Sequence, residues 1–228
     1  MGKQKTELDY TPDCSHEKEF FLKGVRSVGV DEVGRGCLAG PVVAAAVSFP
    51  DELLKEMIDD KNPDAWWRGL GDSKKLKAQT RKALSLEIQK HCEWSVAWCG
   101  VEEIDKLNIL HASLKAMRKA LEKFEGKCGA VLVDGNMTPY KAPHYDERAK
   151  PRFAHVVTLI KGDSRSYAIA AASIIAKVYR DEWMERLSQE YPHYELHVHK
   201  GYPTPLHKEK IRAHGICDLH RRSFSMPV

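Results

Sequence analysis

Apolar positions change their spacing several times along the chain, and each change marks an element. Residues 27–31 and 41–49 read as two strands separated by a glycine-rich turn at Gly34, Arg35, Gly36 and Gly40, for which a hairpin is the simplest connection. Residues 51–72 are polar and hold Pro63 and several glycines, so they predict a loop. Residues 78–92 then place Leu84, Ile88 and Cys92 on one helical face, and 93–101 alternates as a third strand. Residues 108–124 carry Leu110, Leu114, Met117 and Leu121 at helical steps. Gly129-Ala-Val-Leu-Val-Asp134 is apolar, bounded by glycines and too short for a helix, hence a buried central strand. Residues 153–160 predict a further strand. Residues 164–191 lack Gly and Pro and predict the longest helix.

Strands interleaved with helices predict an α/β fold, a mixed sheet flanked by helices. Residues 1–24 show no apolar periodicity and are expected as an N-terminal extension or a short helix outside the core. Residues 25–191 are expected as the main domain. After Pro192 the chain turns rich in His, Lys, Arg and Pro, with one short helix near 206–214, so 192–228 is expected as a small helical C-terminal lobe. No internal repeat is evident.

Composition narrows the class. With 228 residues, 43% hydrophobic and 30% charged, the chain can bury one substantial core. It has no run of about 18 apolar residues and its first residues are polar, which predicts a cytoplasmic protein with no membrane association. The six cysteines form no C-x-x-C pair, and a reducing compartment leaves them as thiols.

Net charge is +4, and residues 197–228, with six Lys/Arg against two Asp/Glu, hold all of it. A basic lobe on a neutral body suits a polyanionic ligand, although a merely soluble basic tail fits the same count. His197 and His199, with His207, His214 and His220 nearby, leave a zinc site open beside the plainer reading of a solvated or phosphate-facing cluster.

Three acidic positions stand where chemistry explains them better than solubility. Asp31-Glu32 closes Val28-Gly29-Val30, Asp134 closes Val131-Leu132-Val133, and Asp163 lies between a strand and the long helix. Strand ends of such sheets gather ligand sites, and converging carboxylates repel unless cations separate them. Their hard oxygens suit two Mg²⁺ or Mn²⁺ ions roughly 3.5 to 4 Å apart around a phosphodiester. Adjacent strand residues face opposite ways, so Asp31 and Glu32 share a site only if the strand ends or bulges between them, a break that Gly34-Arg35-Gly36 is expected to supply. Turn-forming roles for Asp31 and Asp134, and a helix N-cap role for Asp163, remain open here.

The motifs taken together resemble the bacterial ribonuclease HII family. The matching stretches are Val30-Asp31-Glu32 with Gly34-Arg35-Gly36 and Leu-Ala-Gly-Pro-Val-Val-Ala-Ala-Ala-Val; Asp72-Ser-Lys-Lys-Leu76; Asn108-Ile-Leu-His-Ala-Ser; Val133-Asp-Gly-Asn136; Lys161-Gly-Asp163; Ala171-Ala-Ser-Ile-Ile-Ala-Lys-Val-Tyr-Arg-Asp181; His199-Lys-Gly-Tyr-Pro-Thr204; and His220-Arg-Arg-Ser-Phe224. They run in the family's order from about residue 26 to 224. The resemblance implies a ribonuclease H-like fold with a basic C-terminal substrate-binding lobe. It implies a metal-dependent endonuclease in which Asp31, Glu32, Asp134 and Asp163 bind two Mg²⁺ or Mn²⁺ ions. Asp181 is set aside, being about five helical turns, ~27 Å, from Asp163.

It also implies the substrate: RNA/DNA hybrid and ribonucleotide-containing duplex DNA, cut 5′ to the ribonucleotide to leave 3′-hydroxyl and 5′-phosphate ends. Gly34, Arg35 and Gly36 would read the 2′-hydroxyl and its phosphate, Tyr202 would pack on the deoxyribose that follows, and Ser73 and Lys74 would touch phosphate. On the residues alone these could be a plain turn, a core aromatic and two surface side chains. Cys37 departs from the family's usual Pro, the segment 137–152 reads as an inserted surface loop, and the N-terminal extension is unmatched. A monomer is expected, with protein partners left open. The competing readings are a nuclease of this fold acting on DNA alone and a non-catalytic binding module.

Overall fold

The run Val42-Val-Ala-Ala-Ala-Val-Ser48 is buried along its whole length, because helices cover both faces of the sheet and small side chains let them come close. The computed structural model describes residues 11–140 and 153–225. In chain order the elements are α1 (Ser15–Phe21), β1 (Ser27–Val33), β2 (Val42–Ser48), α2 (Asp51–Asp59), α3 (Ala78–His91), β3 (Glu93–Cys99), α4 (Val101–Leu107), α5 (Ile109–Leu121), β4 (Ala130–Asp134), β5 (His155–Leu159), α6 (Tyr167–Glu190), α7 (Leu196–His199) and α8 (Pro205–His214). The sheet order is β3-β2-β1-β4-β5. β1, β2 and β3 form an antiparallel meander, as the expected hairpin requires, and β4 and β5 run parallel to β1. This is the mixed α/β sheet expected from the sequence.

Alternation along the strands feeds two cores. Val28, Val30, Ala44, Ala46, Val131 and Val133 meet α5 through Ala112, Ala116, Met117 and Leu121. Val33, Val43, Ala45 and Val47 meet α2, α3 and α6. Gly29 is what lets α6 lie on β1: a Cβ there would fall onto the Ala168 carbonyl carbon and the Ile169 nitrogen. The start of the long helix is thereby seated over the middle of β1.

Several expectations change. The predicted loop at 51–72 contains α2, whose only buried side chains are Leu54 and Met57. β1 does not end at residue 31 but pairs with β2 as far as Val33 opposite Val43. The long helix starts at Tyr167, with Ser166 as its N-cap accepting from the Ile169 amide at 3.2 Å. Within the expected extension, α1 packs on the body: Phe20 is buried among Ala130, Leu132, Leu159 and Ile169. Most of the expected 137–152 insertion and the first ten residues lie outside the described residues. The C-terminal elements dock on the far half of α6 through Met184, Tyr194 and Leu196. No described helix is long and apolar enough to cross a membrane, and all six cysteines are free thiols.

Candidate active site

Val30 of β1 pairs with Val133 of β4 in parallel register, so the next rung sets Asp31 beside Asp134. Asp134 in turn pairs with Leu159 of β5, and Asp163 follows in the 3-10 turn Gly162–Ser164, entered through the left-handed Lys161. Three adjacent strand ends thus deliver three carboxylates to one edge of the sheet. Asp163 caps nothing on α6, since Ser166 holds that position.

Glu32 joins them differently from expected. Pairing with β2 runs unbroken through Asp31, Glu32 and Val33, so the two carboxylates leave opposite faces of β1, with no bulge between them. Glu32 lies on the stretch of β1 beyond the β4 pairing, within the field of Asp31 and Asp134. Its approach is registered electrostatically. Burial pushes the Glu32 carboxyl up to about 7 and the Asp134 charge adds to this, while Arg35 and Lys74 oppose it. Asp31 is raised well above the usual carboxylate range by burial, then by Glu32, Asp134 and Asp163. Asp163 is raised by burial, then by Asp134 and Asp72, against Lys74.

One oxygen of each carboxylate has a local donor. The Glu32 amide donates to Asp31 Oδ1 at 2.6 Å, Arg35 Nη1 to Glu32 Oε1 at 3.4 Å, the Gly162 amide to Asp134 Oδ1 at 2.7 Å, and the Ser164 hydroxyl to Asp163 Oδ1 at 3.4 Å. In this arrangement no three His, Cys, Asp or Glu side chains among the described residues close to ion-holding distance. The donor set nonetheless fits hard divalent cations: oxygen only, largely buried, and carrying mutual repulsion that positive charge would relieve.

The expected substrate residues divide. Gly34 is buried at φ +95°, and a Cβ there would collide with Arg180 Nε, so the protein itself needs glycine at this position. Gly36 is exposed, and a Cβ there would meet nothing within 4 Å. Arg35 is half exposed. Lys74 is exposed, within the field of Glu32 and Asp163. Ser73 is not a surface residue: it is 3% exposed and its hydroxyl meets that of Ser173 at 2.8 Å. Tyr202 stands with Lys177 Nζ 5.4 Å and Arg180 Cζ 5.8 Å from its ring centre. The Cys37 thiol donates to the Lys200 carbonyl at 3.8 Å and lies close enough to the Tyr202 hydroxyl to help raise its pKa. The Cys37 departure therefore touches Tyr202 and leaves the carboxylates alone.

A family model described as Ribonuclease HII matches residues 28–226. The chain belongs to the ribonuclease HII family. It is 50% identical over 198 residues to the Ribonuclease HII of Delftia acidovorans, covering 86% of this chain and 74% of that one. It is 44% identical over 209 residues to that of Parabacteroides distasonis, covering 91% and 94%. Among solved structures, the RNase HII of Archaeoglobus fulgidus, in a complex with PCNA, matches with TM-score 0.68 at 27% identity, covering 89% of this chain and 96% of that one. Bst-RNase HIII, in complex with Mn²⁺, shares the fold with TM-score 0.68 at 20% identity, covering 97% and 73%. Membership makes this chain a ribonuclease H-type nuclease that acts on RNA/DNA.

Three of the C-terminal histidines of this ribonuclease HII chain turn inward, while His197 and His214 stay exposed. His199 stacks on His207 with ring centres 4.1 Å apart, His207 Nε2 faces His220 Nε2 at 3.3 Å, and all three are buried. His207 Nδ1 lies 3.0 Å from the Tyr202 carbonyl, and burial pushes its pKa down to about 4. A solvated or phosphate-facing role does not describe these three. The basic count is also spent differently: Arg221 is fully buried, and Lys200 and Lys210 face Glu185 and Glu195, each at 2.7 Å. Asp181 pairs with Lys177 at 2.7 Å and Arg81 at 3.6 Å, apart from the carboxylates.

Proposed function

We propose that this enzyme hydrolyses the RNA strand of RNA/DNA hybrids and cuts 5′ to a ribonucleotide embedded in duplex DNA, leaving 3′-hydroxyl and 5′-phosphate ends. The observation that carries the reading is the convergence of Asp31, Asp134 and Asp163 on neighbouring strand ends, with Glu32 within their electrostatic reach. These four would hold two Mg²⁺ or Mn²⁺ ions. Bound there, such ions supply an activated water and stabilise the leaving oxygen.

The chain's own residues set the geometry. Strand register fixes the Asp31–Asp134 spacing, the Gly162 amide orients Asp134, and Arg35 holds one Glu32 oxygen. Gly36 is compatible with the choice of substrate: it is exposed and a Cβ there would meet nothing inside the protein, so its backbone can be approached closely from outside, which suits a 2′-hydroxyl in a shallow minor groove. Tyr202 supplies a flat side chain for the sugar that follows. Residues 192–225 would act as the lobe that presents it.

Three labelled duplexes test the reading: one with a single ribonucleotide, one with an all-RNA strand, and one of DNA alone, each with and without Mg²⁺. Cleavage of the first two with Mg²⁺, at the 5′ side of the ribonucleotide in the first, is expected. Comparable cutting of plain DNA would overturn the substrate assignment.

A further inference from the structure

Arg180 sits on α6, where arginine ordinarily reaches solvent, yet it is fully buried. Each of its three nitrogens donates to a backbone carbonyl: Nε to Pro41 at 2.9 Å, Nη2 to Ala39 at 3.1 Å and Nη1 to Lys200 at 2.8 Å. Two of these carbonyls belong to the stretch that follows the Gly34–Gly36 turn. The third lies two residues before Tyr202.

Arg221 is equally buried and crosses the same gap from the other side. Its Nε donates to Gly40 O and its Nη1 to Arg35 O, both at 3.0 Å, and its amide to Leu38 O at 2.9 Å. Leu38 N to Gly201 O and Gly40 N to Leu219 O, each 2.8 Å, complete the seam. Gly34 and Gly201 are packed against it, since a Cβ would strike Arg180 at the first and the Ala39 carbonyl at the second.

Among the described residues neither guanidinium is paired with a carboxylate. Two buried cations side by side are a costly way to fill volume, and apolar side chains of the same size would stabilise a simple lobe contact at least as well. Carbonyl ligation does something apolar packing does not: the rigid guanidinium fork fixes the position of each segment it touches.

We propose that Arg180 and Arg221 are positioning residues that fasten the Gly34–Gly40 segment to the Tyr202 loop, holding the two halves of the substrate reader at one separation. The proposal rests on the junction reading given above. Arg35 enters it through its carbonyl, so Arg221 grips the reader turn itself. Loosening the seam leaves Asp31, Asp134 and Asp163 in place, because they hang from β1, β4 and the turn after β5, and Glu32 keeps its pairing in β1 even where Arg35 shifts. The damage therefore falls on selectivity more than on chemistry.

The test uses Arg180→Lys and Arg221→Lys in the full chain, each keeping the charge but losing the fork. Steady-state kcat/KM is measured on the single-ribonucleotide duplex and on the all-RNA hybrid, and amide hydrogen exchange is followed at Leu38, Gly40 and Arg221. The expected result is a loss on the order of 10- to 100-fold on the single ribonucleotide, the scale of a misplaced positioning group, with a much smaller loss on the hybrid. The three amides should lose protection together while those of β1 and β4 keep theirs. Equal losses on both substrates with unchanged amide protection would overturn the proposal. Tyr202→Ala is run alongside: if it too loses equally on both substrates, the junction reading has failed, and fastening is then decided by exchange alone. If Arg180→Lys does not fold, Arg221→Lys and native-state exchange of the unaltered protein decide it, with independent opening of the three amides counting against the proposal.

Discussion

The Gly162 amide donates to Asp134 Oδ1 across 2.7 Å, which ties the end of β4 to the turn that carries Asp163. One carboxylate oxygen is thus committed to the backbone, which leaves the other for the proposed ion.

That division predicts the behaviour of Asp134→Asn. The new side chain's oxygen can still accept from Gly162, so fold and duplex affinity should persist, but its amide nitrogen then faces the ion position. An amide nitrogen is no ligand for Mg²⁺ and carries no charge. Mg²⁺-dependent cleavage should fall to near background while thermal stability stays close to that of the parent. Cleavage near the parent rate would remove Asp134 from the site.

Burial of Glu32 beside the other carboxylates should be measurable as a pH effect. The Glu32 carboxyl is raised to about 7 by burial, with the Asp134 charge adding to it, against about 4.3 in an unfolded chain. Between these values the folded protein binds more protons than the unfolded one, so this group's contribution is fully present below about pH 4.3 and lost as pH rises through about 7. Glu32→Gln should therefore raise the stability of the metal-free protein at pH 7.5 by on the order of 1 to 3 kcal/mol and change little at pH 4.5. Comparing variant with parent cancels the buried histidines, whose lowered pKa values act in the opposite direction. Identical melting curves at pH 7.5 would contradict a Glu32 carboxyl raised by burial and by the Asp134 charge.

How much of this was legible in the sequence depended on where the physical signal lay. Asp134 was legible because an apolar run bounded by glycines ends on it. The length of β1 was not, because Asp31 and Glu32 look like a strand end and only the unbroken pairing with Ala45 and Ala44 shows otherwise. α2 was lost because two buried residues, Leu54 and Met57, make too narrow a face to stand out among its charges. Arg180 and Arg221 gave no signal at all: an arginine reads as solvated until tertiary packing closes over it. The resemblance supplied Tyr202, and only the structure shows what holds it.

Glu17 is a second residue hidden in this way. It lies in the segment expected as an extension, yet it is 1% exposed, and its Oε1 accepts from Ser166 Oγ at 2.6 Å and from the Ala168 amide at 2.8 Å. It thereby binds α1 to the first turn of α6, three residues beyond Asp163. Glu17→Ala should cost about 1 to 3 kcal/mol, the range for leaving buried donors unpaired. Denaturant unfolding measures this directly. A change below about 0.5 kcal/mol, the scale of ordinary surface substitutions, would show that α1 is dispensable for seating α6.

Tyr202 carries the sharpest prediction about the choice of bond. Its ring lies against Lys177 and Arg180, and its hydroxyl is near Cys37, so it has neighbours that restrict its motion. Tyr202→Ala removes the ring, and losing a stacking contact of this kind costs on the order of 1 to 3 kcal/mol, roughly tenfold or more in rate at about 1.4 kcal/mol per decade. The loss should fall on the duplex with one embedded ribonucleotide, where a deoxyribose follows the scissile bond, and less on an all-RNA strand, where none does. Tyr202→Phe keeps the ring and gives up only the contact with Cys37, so it should retain most of the preference. Measuring kcat/KM for both substrates with the three proteins separates the roles. If Ala lowers both substrates equally, Tyr202 serves general binding or folding; if Phe falls as far as Ala, the hydroxyl and its thiol partner, not the ring, set the geometry.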